Sequence, residues 1–277
     1  MKKNILIVLS VLFGFFTATI IAVRYFNNEN DHQVDNKNDK KSNKVIKEEA
    51  LPSFQSSFKI WNQYIKNNID LMSSFQPQDE KGKVIGKENF LAALENGLYL
   101  PESIDANDII PVYQLTPLHS KAEEKIQRSI KSLAKKAMHY FKMEGSKLPE
   151  HDFISLKGKS FNEAQTKGKL MVIKCWFITC RVCVEEFPEL NELVDKYKER
   201  NVVFVSLAFD EKDKLQKFLK TKEFKYATIP SQRNYMKKLK LKQYPTHIIV
   251  NGEGVIVKMV SNVKTLAMEL KRLDSEF

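Results

Sequence analysis

WFITCRVCVEEFP, residues 176–188, contains two of the three cysteines of the 277-residue chain, Cys180 and Cys183. The preceding KLMVIKCWF, residues 169–177, is apolar and rich in branched side chains, which is typical of a buried strand. Beyond the second cysteine, apolar residues recur at helical spacing over residues 185–197. The sequence therefore predicts a Cys-x-x-Cys pair at the point where a buried strand ends and a helix begins.

The position of this pair favours reactive rather than structural cysteines. The N-terminus of a helix carries partial positive charge and free N–H groups, and both stabilise a thiolate relative to a thiol. A zinc site would need four ligands, but there is no second cysteine pair and the five histidines show no paired spacing. A structural disulfide that closes so short a loop would add little stability. We therefore predict a redox-active disulfide that needs no other cofactor.

Thiol–disulfide exchange gives each cysteine a different role. Cys180 lies nearest the helix start and solvent, so it is predicted to be the attacking thiolate. Cys183 is predicted to resolve the mixed disulfide that forms. The charge of Arg181 either lowers the pKa of the attacking thiol further or is solvated and has no effect. Cys175, inside the predicted strand, is predicted to be an unreactive core thiol.

Other residues accompany the dithiol at defined distances. Trp176 stands four residues before the first cysteine, and Glu186 and Pro188 stand three and five residues after the second. The later segment YPT, residues 244–246, precedes HIIVNGEGVIVKMV, which is typical of a β-hairpin. In this combination the chain resembles the thioredoxin superfamily, specifically the membrane-anchored TlpA/ResA-type thiol-disulfide oxidoreductases. The resemblance covers residues 149–273.

This resemblance implies roles for the residues that carry it. Trp176 is expected to pack beneath the dithiol, and Pro188 to kink the active-site helix. Pro245 is expected to be a cis-proline that, with Thr246 beside it, faces the dithiol and exposes backbone to an extended substrate segment. Glu186 is a candidate proton shuttle for the second cysteine, the alternative being a solvated helix residue.

The same resemblance implies a function. It points to a reductase of disulfides in exported proteins, including the apoproteins of c-type cytochromes, supplied by a membrane electron donor of the thiol-transfer type. A thiol peroxidase and a copper-delivery module of thioredoxin fold are the alternatives. The first usually uses a lone cysteine, and the second would prefer Cys-x-x-x-Cys with a late histidine, so the spacing here argues against both.

Three positions depart from the family pattern: Thr179, the Arg181-Val182 dipeptide and Lys174. Lys174 takes a strand position where relatives carry a buried acid or a neutral amide, and strand alternation puts it on the face of Trp176. A buried ammonium must pair with an acid or lose its proton. Glu186 or an acid within residues 210–213 could be the partner. Alternatively, the long side chain could carry its charge out of the sheet edge.

Two further residues are weaker candidates for the site. Asp210, at the end of a predicted strand, is either an acid–base group or a helix cap. His247, two residues after Pro245, could titrate near the dithiol or simply pack within its strand.

Fold class follows from the order of elements after residue 152. Strands that alternate with helices predict an α/β fold with a sheet covered on both faces and the site at the carboxyl ends of the strands. The resemblance implies the thioredoxin-like form, a central mixed sheet flanked by helices, over residues 149–277. The active-site helix is predicted as one element over residues 180–198.

The N-terminal residues predict export. Lys2 and Lys3 precede an uncharged run over residues 4–23, about the length that spans a bilayer. We therefore predict an uncleaved transmembrane anchor over residues 1–26, with a cleaved signal as the alternative, and a disordered linker over residues 27–50. The catalytic part is predicted on the extracytoplasmic, periplasmic side of the cytoplasmic membrane. The formal charge of +11 then favours anionic lipid rather than nucleic acid.

Residues 51–148 form a mixed, mainly helical accessory region without a motif that carries chemistry. Short helices are predicted over residues 58–65 and 87–95, and a strand over residues 109–115 that Pro111 would place at a sheet edge. The clearest prediction is an amphipathic helix over residues 120–143. Ser120 and Glu123 are predicted to form its capping box, and its apolar stripe is predicted to pack in the core.

Overall fold

The computed structural model describes residues 51–105 and 110–274. The anchor or signal predicted for residues 1–26 and the linker predicted for residues 27–50 lie outside this described part. We call residues 51–148 the accessory region and the chain from residue 149 onward the thioredoxin-like region. Among the described residues, no helix combines the length and the apolar character needed to cross a bilayer.

The described residues of the accessory region form three strands and three longer helices. The strands are β1 (Gln76–Gln78), β2 (Tyr99–Asp105) and β3 (Val112–Pro117), and the helices are α1 (Phe58–Asn68), α2 (Lys87–Asn96) and α3 (Glu124–Phe141). The sheet order is β1-β3-β2, with β1 parallel and β2 antiparallel to β3. The helices predicted from the sequence are confirmed. Ile126, Ile130 and Ala137 of the predicted α3 stripe are buried, so the stripe belongs to the core.

The predicted capping box of α3 is wrong. The helix begins at Glu124, and no side chain caps its N-terminus. The carboxylate of Glu123 instead accepts a hydrogen bond at 2.9 Å from the backbone N–H of Phe58 in the first turn of α1. Glu123 therefore bonds a residue 65 positions away in the sequence instead of forming the predicted local capping box.

The predicted edge position of the strand near Pro111 is also wrong, because β3 is the central strand of its sheet. Pro111 lies just before the strand, where its missing N–H does not interrupt the ladder. Its carbonyl accepts a hydrogen bond from the N–H of Gln76 at 2.9 Å. The two partner strands β1 and β2 were not predicted.

The thioredoxin-like region contains a five-stranded mixed sheet in the order β10-β9-β6-β7-β8. Its strands are β6 (Leu170–Trp176), β7 (Val202–Ala208), β8 (Ala227–Ile229), β9 (Thr246–Val250) and β10 (Ile256–Val260), preceded by a hairpin of β4 (Asp152–Ile154) and β5 (Ser160–Asn162). β6, β7 and β8 are parallel, and β9 is antiparallel to both β6 and β10. The predicted thioredoxin-like α/β fold is confirmed.

Five helices of this region lie between strands in the chain, and a sixth follows the last strand. They are α4 (Glu163–Thr166), α5 (Arg181–Glu185), α6 (Phe187–Lys196), α7 (Lys212–Leu219), α8 (Arg233–Lys238) and α9 (Val263–Asp274). The single active-site helix predicted over residues 180–198 is thus two helices, α5 and α6, which meet at Glu186. Pro188 lies in the first turn of α6, where a helix needs no N–H donor.

Side-chain alternation along β6 separates two layers. Met171, Ile173 and Cys175 face an apolar cluster that also contains Ile126 and Ile130 of the accessory region. On the opposite face of β6, Val172 packs in a cluster formed largely by α6 and α9, and Trp176 packs in a smaller cluster at the end of the strand. The accessory region and the sheet therefore share one core.

Two carboxylates, Glu269 and the half-buried Asp70, connect the accessory region to α9 by hydrogen bonds. Glu269, 3% exposed, accepts hydrogen bonds from the backbone N–H and the hydroxyl of Ser74 at 2.5 and 2.9 Å. Asp70 accepts a hydrogen bond from the hydroxyl of Thr265 at 2.5 Å. The polar contacts and the apolar core together hold the two regions in one compact unit.

Candidate active site

Cys180 and Cys183 are joined by a disulfide, which lies after the end of β6 and at the start of α5. Cys180 is the N-terminal cap residue of α5, and its side chain is half-buried. Cys183 is fully buried in the helix. The two sulfurs therefore differ in access, and the first cysteine is the one that solvent and a substrate can reach.

A packed aromatic layer lies beneath the second cysteine. Trp176 is fully buried and belongs to the same apolar cluster as Cys183 and Phe187. Its ring meets that of Phe187 edge-on, with centroids 5.0 Å apart. The side chain of Trp176 thus supports the dithiol from below.

Asp210 holds the loop that leads into the dithiol. Its carboxylate accepts a hydrogen bond from the backbone N–H of Ile178 at 2.8 Å, and the N–H of Cys180 bonds the carbonyl of Phe177 at 3.0 Å. The alternative in which Asp210 caps the next helix is wrong, because α7 has Glu211 at its N-cap position and no side-chain cap. Asp210 therefore acts on the backbone before the first cysteine.

Pro245 lies in the loop before β9, and its peptide bond with Tyr244 is cis. The hydroxyl of the buried Thr246 donates to the carbonyl of Gln243 at 2.7 Å. Tyr244 belongs to the partly buried residues around the same cluster as Cys180. The loop thus lies at the end of the sheet that carries the dithiol.

Three aromatic side chains at this end of the sheet were missed by the sequence reasoning. Phe177 and Phe209 stack with ring centroids 5.1 Å apart, and Tyr244 meets both rings edge-on. The guanidinium of Arg233 lies 4.4 Å from the centroid of Phe209. Phe177 and Phe209 lie just after the parallel strands β6 and β7, and Tyr244 lies shortly before the antiparallel strand β9. Because these positions share one sheet edge, the sequence did contain a signal for the cluster.

Lys174, Glu186 and His247 form a buried polar triad on the face of the sheet that carries Trp176. The Lys174 Nζ lies 2.5 Å and the His247 Nε2 lies 3.1 Å from the same oxygen of Glu186, Oε2. The other carboxylate oxygen accepts the backbone N–H of Val263, at the start of α9, at 2.9 Å. Lys174 and His247 are fully buried, and they are paired in register between β6 and β9.

Several known proteins are similar to the thioredoxin-like region of this chain. Residues 144–259 match the AhpC/TSA family. The thiol-disulfide oxidoreductase ResA of Bacillus thuringiensis subsp. konkukian is 29% identical over 127 residues, which cover 45% of this chain and 73% of that protein. ResA of Bacillus subtilis is 26% identical over 127 residues, 45% of this chain and 71% of the relative. A putative thiol:disulfide interchange protein DsbE from Chlorobium tepidum superposes with a TM-score of 0.43 at 19% identity, over 47% of this chain and 96% of that one.

The chain is thus similar to the thioredoxin-like AhpC/TSA family over residues 144–259, which are less than half of its length. The match spans the hairpin, the dithiol and the Pro245 loop, and it ends within β10. The resemblance to thiol-disulfide oxidoreductases that the sequence suggested is confirmed.

The buried side chain of Lys174 has an acidic partner. Glu186, rather than an acid within residues 210–213, is the partner of Lys174, and the alternative position of Lys174 at the sheet edge is wrong. Glu186, 7% exposed, is not a solvated helix residue either. The role of His247 in this triad was not predicted, because only the strand register brings it opposite Lys174.

Burial and the neighbouring charges both shift the pKa values of the three side chains of this triad. Burial alone would raise the pKa of Glu186, but the hydrogen bond and charge of His247 and the charge of Lys174 outweigh it and lower that pKa. Burial lowers the pKa of Lys174, and the Glu186 carboxylate offsets only part of this effect. Burial, followed by the charge of Lys174, lowers the pKa of His247. The contacts therefore favour the charged form of Glu186, whereas burial disfavours the charged forms of Lys174 and His247.

The two remaining candidates are Arg181 and Cys175. The Arg181 side chain is 89% exposed and pairs with Glu185 at 2.7 Å, one turn along the same helix. Cys175 is a free, buried thiol, and burial raises its pKa to about 12. No group of three potential metal-ligating side chains occurs in the described part of the chain.

Lys174→Met is expected to lower the free energy of unfolding by about 3–5 kcal/mol, because it leaves the Glu186 carboxylate buried without its cation. The double variant Lys174→Met/Glu186→Gln should lose less than Lys174→Met alone, since the charge is then removed together with its partner. Urea unfolding at pH 7 measures both. Arg181→Met, which breaks an exposed ion pair, is the control and should unfold like the wild type. If the losses in Lys174→Met and Glu186→Gln simply add in the double variant, the two side chains do not stabilise each other and the prediction is contradicted.

The pH dependence of stability tests His247. Its folded pKa lies below the ordinary value of 6.5, so below about pH 6.5 the unfolded chain binds a proton that the folded chain does not. The wild-type free energy of unfolding should therefore fall towards pH 5, with a slope of up to about 1.4 kcal/mol per pH unit from this group. His247→Gln should flatten the profile in this window, and its difference from wild type at pH 8 gives the packing cost. If the free energies of unfolding of wild type and His247→Gln change in parallel between pH 8 and pH 5, His247 does not titrate in this window.

Proposed function

We propose that this thiol-disulfide oxidoreductase reduces disulfides in exported proteins through the Cys180–Cys183 pair. The observation that carries the proposal is the disulfide itself, which joins one accessible sulfur to one buried sulfur where a parallel strand ends and a helix begins. This asymmetry separates the attacking thiol from the resolving thiol. Beyond the disulfide, the proposed reaction needs no cofactor.

The proposed cycle starts from the reduced enzyme. The Cys180 thiolate attacks one sulfur of a substrate disulfide, forming a mixed disulfide and releasing the other substrate sulfur as a thiolate that takes a proton. The Cys183 sulfur, deprotonated, then attacks Cys180 and releases the second substrate thiol. Two electrons pass from the enzyme dithiol to the substrate disulfide. A membrane thiol-transfer donor, itself a dithiol, returns the enzyme to its reduced form.

Helix geometry favours Cys180 as the nucleophile. Its position at the N-cap of α5 places it beside the unpaired N–H groups of the first turn, which stabilise a thiolate. Cys183, buried against Trp176, is protected until the mixed disulfide brings a sulfur to it. The proton-shuttle role of Glu186 remains a prediction. To accept the Cys183 proton, its carboxylate would have to give up part of its bonding to Lys174 and His247.

Cys180→Ser is expected to abolish reduction of insulin disulfides, whereas Cys183→Ser should stop after one half-reaction with a mixed disulfide. In reduced protein at neutral pH, alkylation followed by peptide mass spectrometry should label Cys180 first. Cys175→Ser is the matched control and should retain activity, because this thiol is buried and the burial raises its pKa. Faster labelling of Cys183 would reverse the assignment. Adducts trapped on Cys183→Ser in the native host would identify the substrate.

We propose further that residues 1–26 anchor the chain in the cytoplasmic membrane and that the catalytic part lies on the extracytoplasmic side. The uncharged run over residues 4–23 behind Lys2 and Lys3 supports this location. The protein should stay in the membrane fraction after alkaline washing, and a variant that starts at residue 27 should be released. A mature N-terminus beyond residue 18 would show cleavage and remove the anchor.

A further inference from the structure

One face of α3, the longest helix of the accessory region, is bonded to the loop that ends at Pro245. Lys136 donates to the side-chain oxygen of Gln243 at 3.2 Å, and the His139 Nε2 lies 2.9 Å from the carbonyl oxygen of Lys240. Tyr140 bonds the backbone of the same loop. Residues 136, 139 and 140 are three and four positions apart, which places them together on the helix surface.

Tyr140 makes the central contact. Its side chain is 1% exposed, and its hydroxyl oxygen accepts hydrogen bonds from two successive backbone N–H groups, those of Lys242 at 2.7 Å and Gln243 at 3.2 Å. Lys242 itself is exposed, so the phenol fixes backbone that water would otherwise solvate. The loop is thus held to a buried group of the accessory region and not only by its own internal bonds.

Residues 242–243 are connected to the loop before Cys180 through the ring of Tyr244. Tyr244 follows Gln243, and its ring packs edge-on against Phe177 and Phe209 with centroids 5.6 and 5.0 Å apart. Phe177 lies three residues before Cys180 and accepts its N–H at the backbone carbonyl. A displacement of residues 242–243 would therefore reach the loop before the attacking cysteine through packed rings.

We propose that Tyr140 is a positioning residue for the exchange reaction, and that the accessory region thereby sets the rate at which the enzyme reacts with protein disulfides. The inference rests on the proposed function. A protein segment docked beside the dithiol must be held against the 240–245 loop, and a loop that is already ordered loses less entropy on binding. A small disulfide needs only the sulfur of Cys180, so it does not depend on this loop.

Tyr140→Phe removes only the hydroxyl. We expect kcat/KM for insulin reduction to fall about 5- to 30-fold, from two lost hydrogen bonds of ordinary strength. Reduction of hydroxyethyl disulfide should stay within about twofold, and amide hydrogen exchange should accelerate at Lys242 and Gln243. Tyr113→Phe is the matched control. Tyr113 is a buried tyrosine of the accessory region, and its hydroxyl accepts a hydrogen bond from the N–H of Asp70 at 3.1 Å. Removal of this hydroxyl should change neither the two reduction rates nor the hydrogen exchange at Lys242 and Gln243.

The outcomes separate this inference from the function on which it rests. An active wild type with equal insulin reduction in Tyr140→Phe overturns the positioning role alone, as does an equal loss in Tyr113→Phe. A wild type that reduces neither disulfide overturns the proposed function and the positioning role with it. Where Tyr140→Phe does not fold, Lys136→Met tests the same loop through Gln243, and unchanged insulin reduction in that variant overturns the proposal.

Discussion

The carboxylate of Glu186 joins four separate parts of the thioredoxin-like region. It lies at the junction of α5 and α6, and it accepts hydrogen bonds from Lys174 of β6, His247 of β9 and the first backbone N–H of α9. Separating one partner from a buried ion pair leaves an uncompensated charge and is strongly destabilising, so this junction tolerates little displacement. Because Cys183 lies three residues before Glu186, the position of the resolving cysteine is tied to the sheet through this carboxylate.

The accessible cysteine depends on a different set of contacts. Asp210 holds the backbone of Ile178 from the end of β7, and rings at the ends of β6 and β7 and at the start of β9 pack around the loops beside it. One sulfur is therefore placed by a charged network inside the protein and the other by loop contacts near the surface. These contacts act on either side of the short helix α5, at Ile178 before it and at Glu186 after it. The first sulfur can therefore meet a substrate while the second stays buried.

Local patterns account for much of the fold. Branched apolar runs predict β6 and β9, and helical periodicity predicts α3. The strand-to-helix position of the dithiol follows from the same kind of pattern. What the sequence could not provide is pairing over long distances. Glu186 and His247 are 61 residues apart, and only the register of β6 against β9 brings them together with Lys174. In the same way, the bond between Glu123 and Phe58 removed a capping box that the local sequence favoured.

The core shared by the two regions has a consequence for the chemistry of sulfur in this chain. Cys175 lies in the cluster that the accessory helices complete, on the opposite face of β6 from the tryptophan below the dithiol. A shortened protein that began at the family match, near residue 144, would lose part of that cover and admit water to the sheet face. The third cysteine of the chain, Cys175, would then be more accessible to water. The accessory region thus covers the face of the sheet that carries this free thiol.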